Sequence, residues 1–470
     1  MSEGRNCNST SVHPTIGTSG ARICTTGLKL WLTGLALLIC ITLYIFHFQL
    51  IWKYAVDVPF EDEWANFEAQ QLPSGLSLSG LIVQHNEHRL ATTRLLIWLQ
   101  YHLNGWNLAV HQIFNFFLYG ITLLALFRLL TSNGPPQVGF AILCFMAYLL
   151  SPINHVNHFW GYQSQLHFWL LFLVLACYFL IREADRWLDI VLGTAAAILS
   201  MYSMAGGVIS GVVLLVMFGV LTIGRVRSLE NTGRAGGYYL RAAFVLVLLG
   251  GAIFFWLNNY SKPSYHPAVV LPYEFKFWSY FVNILALGFG VDQVSNILGV
   301  FFLSVVLLPI VGLILTYRRN LPIGLWRSIT VTLAVLGVLA SVSIGRAGFG
   351  VEHAKESRYF EVAMPLLPLA GFNWTLLLQA RKALMITVVG SLWIICFVAF
   401  WNNWREFRIY KREAVRRESG LKCLTAYYNG KGDGNCPTIY PGPLPTRLLE
   451  GAKTMNVSFY HRIVSQRGGQ

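Results

Sequence analysis

The chain has 470 residues, of which 55% are apolar and only 12% charged. That balance leaves too little polar surface for a set of soluble domains and describes a polytopic membrane protein, whose spans must be helices because a backbone in lipid has to satisfy its own hydrogen bonds. The net charge of +14 is spread over the ends of apolar stretches, as the positive-inside rule requires, and no domain-sized basic face is present for nucleic acid.

Residues 1–27 are polar, rich in Ser, Thr and Gly, and carry Arg5 and Arg22 ahead of an apolar span at 28–48. The span is long and no small-residue cleavage site follows it, so it reads as a signal anchor that leaves a disordered tail in the cytoplasm. Ten further spans are expected at 108–128, 138–152, 164–181, 188–203, 207–223, 241–257, 297–316, 323–343, 359–378 and 384–401. Together they predict an all-α polytopic membrane domain of eleven helices over residues 28–401. Turns with Arg128, Arg182 and Arg186, Arg225 with Arg227 and Arg234, Arg318 with Arg319, and Arg381 with Lys382 then face the cytoplasm. The loops 49–107, 153–163, 258–296 and 344–358 face the opposite side.

Phe277 to Gly290 does not fit this alternation, because a crossing there would put Arg318 and Arg319 outside. It is expected to be an interfacial or re-entrant helix with Trp278 and Tyr280 at headgroup level. The alternative is twelve spans and a cytoplasmic C-terminus, favoured by Arg405, Arg408, Lys411, Arg412, Arg416 and Arg417 directly after the last span. Residues 402–470 predict a small C-terminal extramembrane domain on the periplasmic side, with a basic helix to about 419 followed by a stretch rich in Gly and Pro. Of eight cysteines, Cys7 and Cys24 lie in the polar tail and Cys40, Cys144, Cys177 and Cys396 in or near spans, while Cys423 and Cys436 share the C-terminal polar segment. In an oxidising compartment they pair, and in the cytoplasm they remain thiols.

The first loop, 49–107, holds six acids and three Lys or Arg in 59 residues. Asp57, Glu61, Asp62 and Glu63 follow the first span, where an external carboxylate stays ionised and can take a proton from an acceptor hydroxyl. The competing reading is a solvated acidic loop. Trp64 beside them can anchor the loop or stack on a sugar. His85 and His88 are three apart, as are His155 and His158, and on a helix each pair shares a face. With the neighbouring acids they make a divalent cation a candidate ligand, against which stands plain interfacial packing; no metal ligand set is assigned and no cofactor is required.

Arg89, Arg94, Arg346, Lys355 and Arg358 supply external positive charge, and arginine forks suit the phosphate oxygens of a lipid. The alternatives are headgroup contact and pairing with Glu352 and Glu356. Phe159, Trp160, Tyr162, Tyr265 and Tyr273 are aromatic residues that could line a sugar or lipid groove. Ionisable residues inside the spans are few: Glu361 near an outer end and Arg327 near an inner one. Transporters place such residues along their pathway, so their scarcity favours an external site.

An Asp-Glu pair in the first large external loop of a multi-helix membrane protein resembles the GT-C class of glycosyltransferases, which draw sugars from polyprenyl-phosphate donors. Asp62-Glu63 is similar to the pair in protein mannosyltransferases of that class. Residues 57–365 look like a broad group of poorly characterised bacterial membrane proteins with GT-C character. The words that carry this are Asp62-Glu63-Trp64, Asn86-Glu87-His88-Arg89, Trp160-Gly161-Tyr162-Gln163, Ser203-Met204-Ala205-Gly206-Gly207, Gly345-Arg346-Ala347 and Ser357-Arg358-Tyr359. His155-Val156-Asn157-His158 departs from the pattern, which has an acidic Glu-Asn before the Trp-Gly.

The resemblance implies that Asp62 is the general base or positions the acceptor, with Asp57 as the competing base and Glu63 or Glu87 orienting it. It implies that Arg89, Arg346 and Arg358 hold the donor phosphate, and that Trp64, His88, Trp160, Gln163 and Tyr359 belong to the substrate-binding set. The partners it implies are a polyprenyl-phosphate-linked sugar, a glycan or glycolipid acceptor and membrane lipids, at the bacterial inner membrane. A non-catalytic flippase or carrier of a lipid-linked glycan is the second reading, and a structural subunit of an envelope-assembly complex the third.

Overall fold

The computed structural model describes residues 19–68, 72–73, 75–132, 134, 136–182, 186–229, 236–318 and 320–468. Most of the polar tail, with Arg234 and Arg319, lies outside the described residues. Nine helices among the described residues are long and apolar enough to cross a bilayer, from Trp31–Tyr54 to Lys382–Tyr428, and the count is ten if one bent pair is a single span. The chain is therefore an all-α polytopic membrane protein. The Ser357–Leu377 segment is 89% buried and runs through the centre, whereas Trp31–Tyr54 and Gly236–Leu257 are each 17% buried and lie at the periphery. The outward faces of such helices carry apolar residues, Phe254, Phe255 and Leu315 among them. That is the surface lipid rather than water would cover.

The bent pair is Val138–Leu149 and Pro152–Phe159, which meet at 50°. Pro152 lacks an N–H and disfavours the helical conformation at Ser151, whose ψ is 143°, so the helix cannot run through. The span expected at 188–203 is the helix Trp187–Met201, whose 15 residues rise about 22 Å and fall short of a hydrocarbon core of about 30 Å. Phe275–Leu287 is shorter still, with 13 residues. It packs against Asn296–Tyr317. Trp278 on it is exposed, but Tyr280 is only 1% exposed and its hydroxyl lies 2.9 Å from His353 Nδ1, so Tyr280 is packed inside rather than set at the headgroups.

Arg327 and Glu361, the basic and acidic residues expected within spans, are both satisfied internally. Arg327 donates to the carbonyls of Ile181 and Tyr178 at 2.8 and 3.1 Å and to Ser132 Oγ at 2.9 Å, closing the C-terminal end of the helix Ser164–Leu180. Glu361 meets His167 Nδ1 at 2.5 Å and accepts from Asn154 at 3.2 Å.

Residues 402–470 do not stand apart as a domain of their own. The helix Ile409–Tyr428 continues beyond the position where the basic segment was expected to end, and with Thr446–Thr454 and Ser458–Gly468 it packs onto the first loop. Val58, Trp64, Phe67 and Trp106 from the loop share one apolar core with Leu424, Ile439, Leu448 and Phe459. Cys423 and Cys436 are joined by a disulfide. The first loop and the C-terminal segment therefore lie at the same end of the bundle.

Candidate functional site

The two acidic words of the first loop meet in space. Gln84–His85 and His88–Arg89 form a two-stranded antiparallel hairpin with His85 opposite His88. Asn86 turns it with φ 51°, a left-handed conformation that Asn tolerates better than most residues. The two histidines are thus cross-strand partners and do not share a helix face. Glu87, at the tip, forms an ion pair with Arg346, and His88 Nε2 and His266 Nε2 stand 3.5 and 3.6 Å from its carboxylate. Burial alone would raise the Glu87 pKa, but His88 and Arg346 outweigh it and hold the group down at about 2. His88 Nδ1 accepts from the Ala205 amide at 3.0 Å, which leaves the proton on Nε2 facing Glu87. Burial lowers the pKa of His88, and the Glu87 charge opposes this.

Asp62 stands beside this pair and is solvent-exposed. Asn86 Nδ2 donates to its Oδ2 across 3.5 Å. Partial desolvation raises its pKa; His88 and Arg358 pull it down, and the Glu87 charge pushes it up. A carboxylate tuned upward is a better proton acceptor near neutral pH. The residue before it, Glu61, has φ 47°, a strained conformation for a residue with a side chain, and its amide is tied to the Ile439 carbonyl at 2.8 Å. The C-terminal segment thus fixes the backbone from which Asp62 projects.

Glu63 has a different place. It is 1% exposed, with Oε2 accepting from the Phe60 amide at 2.7 Å and Oε1 from the Gly161 amide at 2.6 Å. Burial pushes its pKa up to about 7 against the pull of Arg417 and the Phe60, Gly161 and Tyr162 amides. It clamps the first loop to the Trp160-Gly161 turn, and a Cβ on residue 161 would lie 2.5 Å from Glu63 Oε1, so any larger residue there would push the carboxylate off this amide. Asp57 is a tie of the same sort. Its carboxylate accepts from the Leu108 amide at 2.9 Å and Ser458 Oγ at 2.8 Å, with Arg462 at 3.6 Å, and it is 2% exposed.

Three residues expected to touch substrate are turned inward. Trp64 is fully buried against Phe67 and Phe459 and does not reach a sugar. Arg89 donates to the carbonyls of Ile82, Trp256 and Asn258 at 2.8 to 3.0 Å, which occupies its fork. Gln163 is 3% exposed at the start of its helix. Arg346 is committed to Glu87.

Arg358 and Trp160 line a cleft of about 440 Å³ that also takes in Phe60, Glu61, Glu356, Arg416 and Arg417. Arg358 pairs with Glu356 and stacks 5.4 Å from the Tyr359 ring. Tyr359 itself is 8% exposed. Three arginine forks, aromatic walls and an exposed carboxylate next to the rim can hold an anionic group and take a proton from a hydroxyl beside it.

In the sequence Arg416 and Arg417 are only charges after the last span, and nothing there marks His266. The signal available was an adjacent Arg pair three residues after Glu413 on a helix, a spacing that favours a built surface over a plain basic stop. Among the described residues no three His, Cys, Asp or Glu side chains converge as a metal would need. No protein-family model and no curated protein matches the chain.

Proposed function

We propose that this protein is a membrane glycosyltransferase of GT-C character. In this reading it transfers a sugar from a polyprenyl-phosphate donor to a lipid-linked or surface glycan at the periplasmic face of the inner membrane. The observation that carries the reading is Asp62, an exposed carboxylate with a raised pKa, beside a cleft lined by Arg358. An acceptor hydroxyl attacks the anomeric carbon, its proton passes to Asp62, and the bond from that carbon to the phosphate oxygen breaks. The negative charge released on the polyprenyl phosphate is met by Arg358. Glu87 and Arg346 hold each other, so in this scheme they shape the field around Asp62 and do not contact the phosphate.

An odd number of crossings accompanies the proposal: the nine long apolar helices among the described residues satisfy it, and so do the eleven expected from sequence, which add the bent pair and the short helix Trp187–Met201. The first loop and the C-terminal segment share a core. An even number of crossings must therefore separate Tyr54 from Trp404, and the first helix makes the total odd. With the basic turns in the cytoplasm, Asp62 and its cleft face outward.

Mass spectrometry of glycolipids and surface glycans from cells with the wild-type protein, a deletion or Asp62→Asn tests the function. Loss of the same single sugar in the deletion and in Asp62→Asn, with the variant still inserted in the membrane, is the expected result. A wild-type profile for Asp62→Asn removes the transferase mechanism and leaves a lipid-linked glycan carrier.

A further inference from the structure

We infer that Arg416 and Arg417, on the helix that follows the last span, build with Arg358 a binding site for a lipid-linked phosphate. The assignment of that phosphate to a sugar donor rests on the function proposed above.

Arg417 is the main observation. It is 2% exposed, and among the described residues its Nε and Nη1 have no hydrogen-bond partner. Its guanidinium lies 4.5 Å from the Phe60 ring and 6.0 Å from that of Phe159, which hold the planar fork in place. A buried cation with unused donors is costly unless something accepts from it. Glu63, Glu413 and Glu61 favour its charge from nearby but accept from neither Nε nor Nη1. Glu63 is occupied by two amides, and Glu413 lies 3.9 Å from Arg416, not against Arg417. Arg358 also keeps an unpartnered Nε, although Glu356 takes its other face.

These three arginines line one cleft, whose 440 Å³ equals roughly fifteen water molecules at about 30 Å³ each. A phosphate monoester offers three terminal oxygens to several forks, one more than a carboxylate. The ligand is expected to come from the bilayer. Val156 and Phe159, on the outer half of the bent span, form part of the cleft wall. Arg416 and Arg417 stand on the same helical run as the exposed Trp401 and Trp404, residues of the kind that mark a membrane interface. Glu61, Glu356 and Glu413 also line the cleft. They offset the charge of the three arginines, so an anion there is held by hydrogen bonds from the forks more than by net charge.

The test is binding of a synthetic polyprenyl phosphate, and separately of phosphatidylglycerol, to the full-length protein in phosphatidylcholine nanodiscs. Variants are Arg417→Gln, Arg416→Gln and, as a charge control outside the cleft, the exposed Arg405→Gln. Arg416 is the safeguard against misfolding, because its side chain is 46% exposed. The expected result is polyprenyl-phosphate affinity at least tenfold lower in Arg417→Gln, several-fold lower in Arg416→Gln and unchanged in Arg405→Gln. The same pattern for phosphatidylglycerol alone keeps the phosphate site and overturns its assignment to the donor. Equal affinity in wild type and Arg416→Gln, for both lipids, overturns the site, while the glycan profile of Asp62→Asn still judges the transferase reading separately.

Discussion

Replacing Glu63 by Gln probes the clamp between the first loop and the Trp160-Gly161 turn. Gln can accept from one of the two amides now bound at 2.7 and 2.6 Å, but it presents its own NH2 to the other. A protonated Glu63 has the same limitation, so Gln mimics the neutral acid. The folded-state pKa is about 7, above the ordinary 4.5. The folded protein therefore binds more protons than the unfolded chain between those values. The contribution of Glu63 to stability is fully present below pH 4.5 and is lost as pH rises through 7. A shift of about 2.5 pKa units corresponds to roughly 3 kcal/mol, and the group is buried enough that solvent screening takes little of it. Thermal unfolding in detergent, read as wild type minus Glu63→Gln at pH 5.5 and at pH 8, isolates this effect from the other titrating groups. The difference is predicted to become less favourable to wild type by about 2 kcal/mol between pH 5.5 and pH 8, about two degrees in Tm for a chain of this length. A difference that is flat, or that moves the other way, would show that the two amides and Arg417 outweigh burial and keep the carboxylate ionised throughout.

Arg89→Lys is predicted to lower stability by about 1–3 kcal/mol, because an ammonium cannot reach all three carbonyls that the guanidinium fork now serves. Polyprenyl-phosphate affinity of the folded variant should stay at the wild-type level; a lower affinity would return Arg89 to the substrate site. Cys423→Ser opens the loop closed by the disulfide, whose ends are 13 residues apart, and should cost about 3 kcal/mol in the chain-entropy model. Limited proteolysis should then cut the turn-rich stretch between them first, and an unchanged digestion pattern would show that the shared apolar core alone holds the segment.

The bundle was legible because lipid enforces a simple rule: apolar runs become helices and charges gather at their ends. The break at Ser151-Pro152 and the short helix Phe275–Leu287 follow from a proline and from length. The exposed Asp62 was legible too, since an acid just beyond a span has only water or a partner to face. What sequence cannot separate is an arginine available to a ligand from one spent on backbone carbonyls. Arg89 and Arg358 look alike in a string of letters, yet the first is saturated and the second lines a cleft. The same holds for acids, where Asp57 and Glu63 tie loops together and their neighbour Asp62 does not. Arg417 was hidden for another reason, because its partners Phe60 and Phe159 lie far away along the chain. The docking of the C-terminal segment on the first loop depends on an apolar core assembled from both ends, which no local pattern announces.

The central claim is that Asp62, and not the nearby Asp57, accepts the proton during sugar transfer. Purified Asp62→Asn and Asp57→Asn can be compared for turnover of a polyprenyl-phosphate-linked sugar per folded molecule. A drop of about 10²–10⁴ in Asp62→Asn, with Asp57→Asn less stable but close to wild type per folded molecule, is the predicted result. Near wild-type turnover in Asp62→Asn would contradict the account.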